Sequence, residues 1–183
     1  MDRFVRDLET ATTDREVELL RIFLEAEREL FAQRDSILVQ LSTGENGKLL
    51  KGNDNLSRVE ALIRQVDGTL QTALVDPGFD WADSMALWAR ENGRTLSQMN
   101  LSHNLIDQAA VRATFAHVTP AEEGVLRVGL QDSYRIIGTV GKDISDFMRR
   151  ELTNAVIQGL PTIGPGSLAE RLFESGRLKP LKI

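Results

Sequence analysis

Apolar residues recur at three- and four-residue spacing along almost the whole chain, and that period is what most limits how it can fold. Such a spacing puts one apolar stripe on a helix and cannot present one face of a strand. Strand formers are correspondingly scarce: 42% of the 183 residues are hydrophobic but only 5% are aromatic. Leu, Ala, Glu and Arg carry the pattern instead, and all four favour helix. The expected fold class is all-α, an elongated helical bundle with two long helices and several shorter ones, read as a single helical domain or array over 1–183.

Four places show the capping-box pattern, in which a Ser or Thr oxygen accepts from the backbone N–H three residues on and a Glu there reaches back. They are Thr13/Glu16, Ser57/Glu60, Thr119/Glu122 and Ser167/Glu170. The first long helix is expected over 13–41, with Val17, Leu20, Leu24, Phe31, Leu38 and Leu41 as its stripe, widened by Leu19, Ile22, Phe23, Ala26, Leu30 and Ile37. Residues 2–11 read either as part of it or as a separate helix. A polar, glycine-bearing loop, flexible in this reading, follows over 42–55, with Asn46-Gly47 as its turn and Leu49 and Leu50 in a small hairpin. The second helix, 57–75, places Val59, Leu62, Ile63, Val66, Leu70, Ala73 and Leu74 on one face and should stop at Asp76-Pro77-Gly78. A third begins near Asp80, carries Trp81, Met85 and Trp88 at i, i+4 and i+7 with the two tryptophans as largely buried anchors, and weakens at Asn92-Gly93. After a polar break at 100–104 a short helix spans 106–117, and the last long helix runs over 119–159. Gly124, Gly129, Gly138 and Gly141 lie inside it, each costing about 1 kcal/mol relative to Ala. Close packing, a bend or a hinge would account for them. A Pro/Gly-rich joint at 159–166 then precedes a short helix at 167–174, ended by Ser175-Gly176.

Chemistry is hard to find in this chain. With 22 Lys plus Arg against 27 Asp plus Glu, the net charge of −5 argues against a general nucleic-acid coat. No cysteine is present, which removes disulfides, thiolate metal sites and a Cys nucleophile. Neither a phosphate loop nor a dinucleotide fingerprint occurs. His103 and His117 stand 14 residues apart with no partner at metal-ligand spacing. No apolar run could span a bilayer, and the N-terminus has no signal-peptide character. The reading is a non-enzymatic protein without cofactor, metal or catalytic residues. Arginine outnumbers lysine 17 to 5, and guanidinium groups suit pairing with carboxylate or phosphate at interfaces; a GC-rich genome would give the same bias.

The order of segments carries a resemblance. The helix at Asp80-Trp-Ala-Asp-Ser-Met-Ala-Leu-Trp-Ala-Arg90, the polar link at Asn100-Leu-Ser-His-Asn-Leu-Ile-Asp107, a long helix ending Leu152-Thr-Asn-Ala-Val-Ile-Gln-Gly159, and then Ser167-Leu-Ala-Glu-Arg-Leu172 resemble the helical N-terminal region of tailed-phage minor head proteins, the Mu F-like head morphogenesis family. The similarity covers about half the chain. Two departures stand out: the link over 161–166 is longer than the family's, and the motif region that usually follows the short helix does not appear before Ile183. The resemblance implies a virion structural protein inside the phage head, present in the host cytoplasm during assembly. It would associate with the portal or capsid, lie transiently near DNA, and assist head morphogenesis, packaging or ejection, with no membrane partner. Ile144, Met148, Arg149, Arg150, Leu152, Leu168, Arg171 and Leu172 are the expected partner-facing or helix-docking positions, with ordinary core as the other reading of the apolar ones. The end from Ser167 onward should then be removable without unfolding the bundle. Two further readings stay open: a helical delivery or recruitment module of a larger toxin or enzyme, and a cellular helical adaptor.

Overall fold

The computed structural model describes residues 2–104 and 119–174, and over these the protein is an all-α bundle. Its helices are α1 (Asp2–Ala32), α2 (Arg34–Gln40), α3 (Asn53–Leu70), α4 (Asp76–Asn104) and α5 (Pro120–Gln158), with π-helical turns at Gln71–Val75 and Glu170–Glu174. The expected helix at 106–117 and the stop at Ser175-Gly176 fall outside the described residues. The chain divides into two compact units, one of residues 1–19 and 78–136, the other of 20–77 and 137–183.

The second unit contains the hydrophobic core. Ala26 and Leu30 of α1, Ile37 and Leu38 of α2, five α3 residues from Val59 to Leu70, and Met148, Leu152, Ala155 and Val156 of α5 form one buried cluster with Leu168, Leu172 and Phe173. The face expected of the second helix is the face that packs. The expected stripe of the first helix holds only in part: Leu38 and Leu41 are buried and Phe31 packs against the core, but Val17 and Leu24 are 42% and 41% exposed, and Ala26, Leu30 and Ile37 of the widening set are buried. Periodicity fixes how wide a stripe is, not where its centre faces, when apolar residues cover so much of the helix surface.

Helix boundaries moved where a local signal met a stronger tertiary one. Thr13 is interior to α1, its hydroxyl donating to the Glu9 carbonyl at 3.1 Å, so Thr13/Glu16 caps nothing and 2–11 belongs to the same helix. That helix breaks at Gln33, whose side-chain Nε2 donates to Thr69 Oγ1 at 2.6 Å while its Oε1 accepts from Gln65 Nε2. Its backbone sits at φ −84, ψ −6, near the edge of helical space. Ser57/Glu60 is also no cap. The helix starts four residues earlier, at Asn53 after Gly52 (φ 146), because Asn55 is buried there as a clamp. Its Oδ1 accepts from the Ser42 N–H at 2.8 Å, and its Nδ2 donates to the carbonyls of Ser42 at 2.9 Å and Leu50 at 2.7 Å.

Asp76-Pro77-Gly78 does not stop the chain of helices either. The π-helical turn just before it lets the Asp76 N–H reach back to the Gln71 carbonyl. Widening the turn there relieves the crowding a proline ring imposes on the preceding carbonyls, and Pro77 falls in the first turn of α4, where a missing N–H matters least. Likewise α4 continues through Asn92-Gly93 and the expected break at 100–104.

Of the other two capping boxes, Thr119/Glu122 closes in both directions and Ser167/Glu170 in one only. The Thr119 N–H donates to Glu122 Oε2 at 2.7 Å and the Glu122 N–H to Thr119 Oγ1 at 3.2 Å, with Pro120 as the first helical residue. At the second, the Glu170 N–H donates to Ser167 Oγ at 3.2 Å, while the Glu170 carboxylate accepts from the N–H of Gly166. The far end of α5 closes as a Schellman motif: Gly159 takes φ +68, the Leu160 N–H reaches Ala155 O at 3.0 Å and the Gly159 N–H reaches Val156 O at 3.2 Å.

The first unit has aromatic anchors on α4. Trp81 Nε1 donates to the Arg15 carbonyl at 2.9 Å, Arg15 donates to Ser84 Oγ at 3.1 Å, and its guanidinium lies 5.2 Å over the Trp88 ring. Both tryptophans are half-buried, not largely buried as expected, because this helix keeps part of that side in water. Trp88→Ala should therefore cost about 2 kcal/mol, below the 3 to 5 of a fully buried aromatic, with part of it the lost Arg15 stacking; a thermal or urea melt measures it. Tyr134 stacks on Phe79 at 4.5 Å and donates its hydroxyl to Asp83, which holds the phenol above its ordinary pKa.

Glu122 gives a pH prediction. The Thr119 N–H, foremost, and then Arg94 at 3.5 Å hold its carboxyl below the ordinary 4.5. A lowered folded value means its stabilising effect is complete above pH 4.5 and disappears as pH falls through the folded value. The first turn of α5 should thus fray on acidification below 4.5, seen as loss of amide-exchange protection at 122–124, and Glu122→Gln should flatten that response.

Candidate interaction surface of the C-terminal third

Within the second unit α5 has two faces. Ile137, Gly141, Ser145, Met148, Leu152, Ala155 and Val156 are buried, and Lys142, Asp143, Asp146, Arg150 and Ile157 are exposed. The inward face explains one of the four glycines. A Cβ on Gly141 would come within 3.3 Å of Val75 Cγ2 and 3.9 Å of Leu74 Cδ2, so α5 and the π-helical turn approach closely here. Around Gly124, Gly129 and Gly138, nothing among the described residues outside the local helix backbone lies within 4 Å of such an atom. Gly138→Ala is accordingly expected to stabilise the protein by about 0.5 to 1 kcal/mol, the usual helix-interior difference, while Gly141→Ala yields none of that gain. A denaturation series on the two variants distinguishes them.

The expected partner-facing residues separate by burial. Met148, Leu152, Leu168 and Leu172 are completely buried, and Ile144 is partly buried against the same core. They hold the short C-terminal helix onto the bundle and are not available to an external partner. The charged residues remain outside. Arg149 Nη1 approaches both oxygens of Glu60, at 2.9 and 3.0 Å. Arg150 is exposed, 3.5 Å from Glu151 and 5.7 Å over the Phe147 ring. Arg171 is half-buried. The Arg149–Glu60 contact lies 89 positions apart in sequence, and nothing in the local pattern of either residue signals it.

The joint at 159–166 is built onto the 42–52 loop. Leu49 donates its N–H to Leu160 O at 2.9 Å, Thr162 donates to Gly47 O at 3.2 Å, and Lys48 pairs with Pro161 as an isolated β-bridge. The loop is itself a small hairpin, bridged at Thr43 and Leu49, as expected; Leu49 is buried and Leu50 half-exposed at 51%. The Leu168 and Ala169 N–H groups return to the carbonyls of Pro161 and Thr162, seating Leu168 over the core.

Ser145 Oγ donates to Asp67, joining α5 to α3. Burial raises the Glu27 carboxyl above its ordinary pKa. Among the described residues no group of three His, Cys, Asp or Glu could hold a metal ion, and no helix is long and apolar enough to cross a membrane. What the arrangement offers chemically is a set of exposed, partly paired arginines and carboxylates on a rigid helix. Comparison with protein-family profiles, with curated proteins and with solved structures gives no match for this chain.

Proposed function

We propose that this chain is a non-enzymatic virion structural protein, a minor head protein of the Mu F-like kind, which associates with the phage portal and assists head morphogenesis, DNA packaging or ejection. One observation supports it above the others: α5 ends at a left-handed Gly159, and after the link Leu168 and Leu172 fold back onto it, which is the order of helix, glycine, link and Leu-Ala helix on which the resemblance rests. The protein then works through contacts between helices and a partner, with Arg149, Arg150 and Arg171 as the members of the expected set that lie outside the core cluster.

The test is co-purification of the full chain with a portal protein encoded beside it. Arg150→Glu combined with Ile157→Asp changes only exposed positions, so it should leave the helical circular-dichroism signal intact and reduce recovery of the portal complex. Absence of portal and terminase genes from the neighbourhood, or no association of the unaltered chain with the portal, would overturn the proposal.

A further inference from the structure

The chain contains two Asn-Gly pairs, Asn46-Gly47 and Asn92-Gly93, and the fold treats them oppositely. Asn46 and Gly47 are both exposed at the tip of the hairpin, Gly47 has φ +68, and among the described residues beyond its two chain neighbours nothing lies within 4 Å of where its Cβ would be. The Gly47 N–H donates to the Gly44 carbonyl, at 3.0 Å, across a single exposed turn. Asn92-Gly93 sits inside α4, and the Asn92 side chain donates to the Trp88 carbonyl at 2.9 Å.

We propose that Asn46 is a spontaneous modification site of the folded protein, converted through a cyclic imide to aspartate and isoaspartate, and that Asn92 is protected. Solvent hydroxide removes the Gly47 amide proton, and the nitrogen attacks the Asn46 Cγ. The N–Cγ bond forms and the Cγ–Nδ2 bond breaks, with ammonia leaving. Water then adds across one of the two carbonyl–nitrogen bonds of the imide, leaving a carboxylate either on the side chain or in the main-chain branch; nothing is oxidised or reduced. The attack needs free rotation between Asn and Gly and an unhindered Gly nitrogen. The open turn allows both, and the helical backbone of α4 holds the Gly93 nitrogen away from the Asn92 side chain.

The position gives the modification a structural consequence. Gly47 O accepts from Thr162, and Lys48 pairs with Pro161. An isoaspartate at 46 lengthens the main chain by one methylene immediately before these contacts, and either product adds a negative charge at the place where the loop receives the C-terminal joint.

The experiment is incubation of the intact folded chain at mildly alkaline pH, followed by peptide mapping for the replacement of the amide nitrogen by oxygen at each asparagine, with a parallel sample in denaturant. In the folded protein conversion at Asn46 should exceed that at Asn92 at least about tenfold, because exposed turns open at far lower free energy than helix interiors. In denaturant the two rates should converge. Equal rates in the folded chain, protection of both sites, or faster conversion at Asn92 would each overturn the assignment.

Discussion

Leu172→Ala is expected to destabilise the protein by about 2 to 5 kcal/mol, the range for truncating a fully enclosed leucine. Leu172 has no exposed surface, and its neighbours Phe173 and Leu168 are as fully enclosed; Phe173 packs its ring 5.4 Å from that of Phe31. The cavity therefore opens in the centre of the second unit, where rigid helices limit collapse. Removal of everything from Ser167 takes away Leu168, Ala169, Leu172 and Phe173 together. The expected result of that deletion is loss of cooperative unfolding in the second unit, contrary to the idea that this end is a detachable docking tail. A truncated protein with an unchanged urea midpoint would show that these residues contribute little to the core.

Asn55→Ala should produce the second large loss, about 3 kcal/mol, because three hydrogen bonds vanish at once: the Ser42 N–H and the Leu50 carbonyl lose their partner, and the Ser42 carbonyl keeps the Leu50 N–H. Asn55→Asp is the sharper experiment. The carboxylate can still accept from the Ser42 N–H but cannot donate, and it faces two carbonyl oxygens. It should be as damaging as alanine at neutral pH and partly recover in mild acid, where the protonated group donates once. A chemical-denaturation series at two pH values checks both variants, and an Asn55→Asp protein of unaltered stability would refute the clamp.

The two substitutions mark how unevenly the structure can be read from the chain. Leu152, Val156, Leu168 and Leu172 all sit at helical spacing, and their burial follows once the helices are known. Asn55 carries no such sign: beside Asn53 and Asp54 it reads as one more polar residue of a loop, and only its position between Ser42 and Leu50 makes it a clamp. The candidate interaction surface is similar. That α5 is followed by a short helix is legible from Gly159 and Ser167/Glu170, but that this helix packs into the core is not, and which members of Ile144–Leu172 face out depends on the rotation of α5 against α3.

By itself the sequence determined the all-α class, the packing face of α3, the capped start of α5 at Thr119 and its end at Gly159, because these rest on spacing, capping chemistry and a left-handed glycine, all of them local. Tertiary structure alone decided the rest. It broke the first helix at Gln33, carried the chain through Pro77 by a π-helical turn, passed over the capping patterns at Thr13 and Ser57, and turned Val17 and Leu24 to solvent. A capping box contributes only about 1 kcal/mol, and burying one more turn of an apolar helix or satisfying a buried amide contributes as much or more, so wherever the two compete the contact distant in sequence sets the boundary.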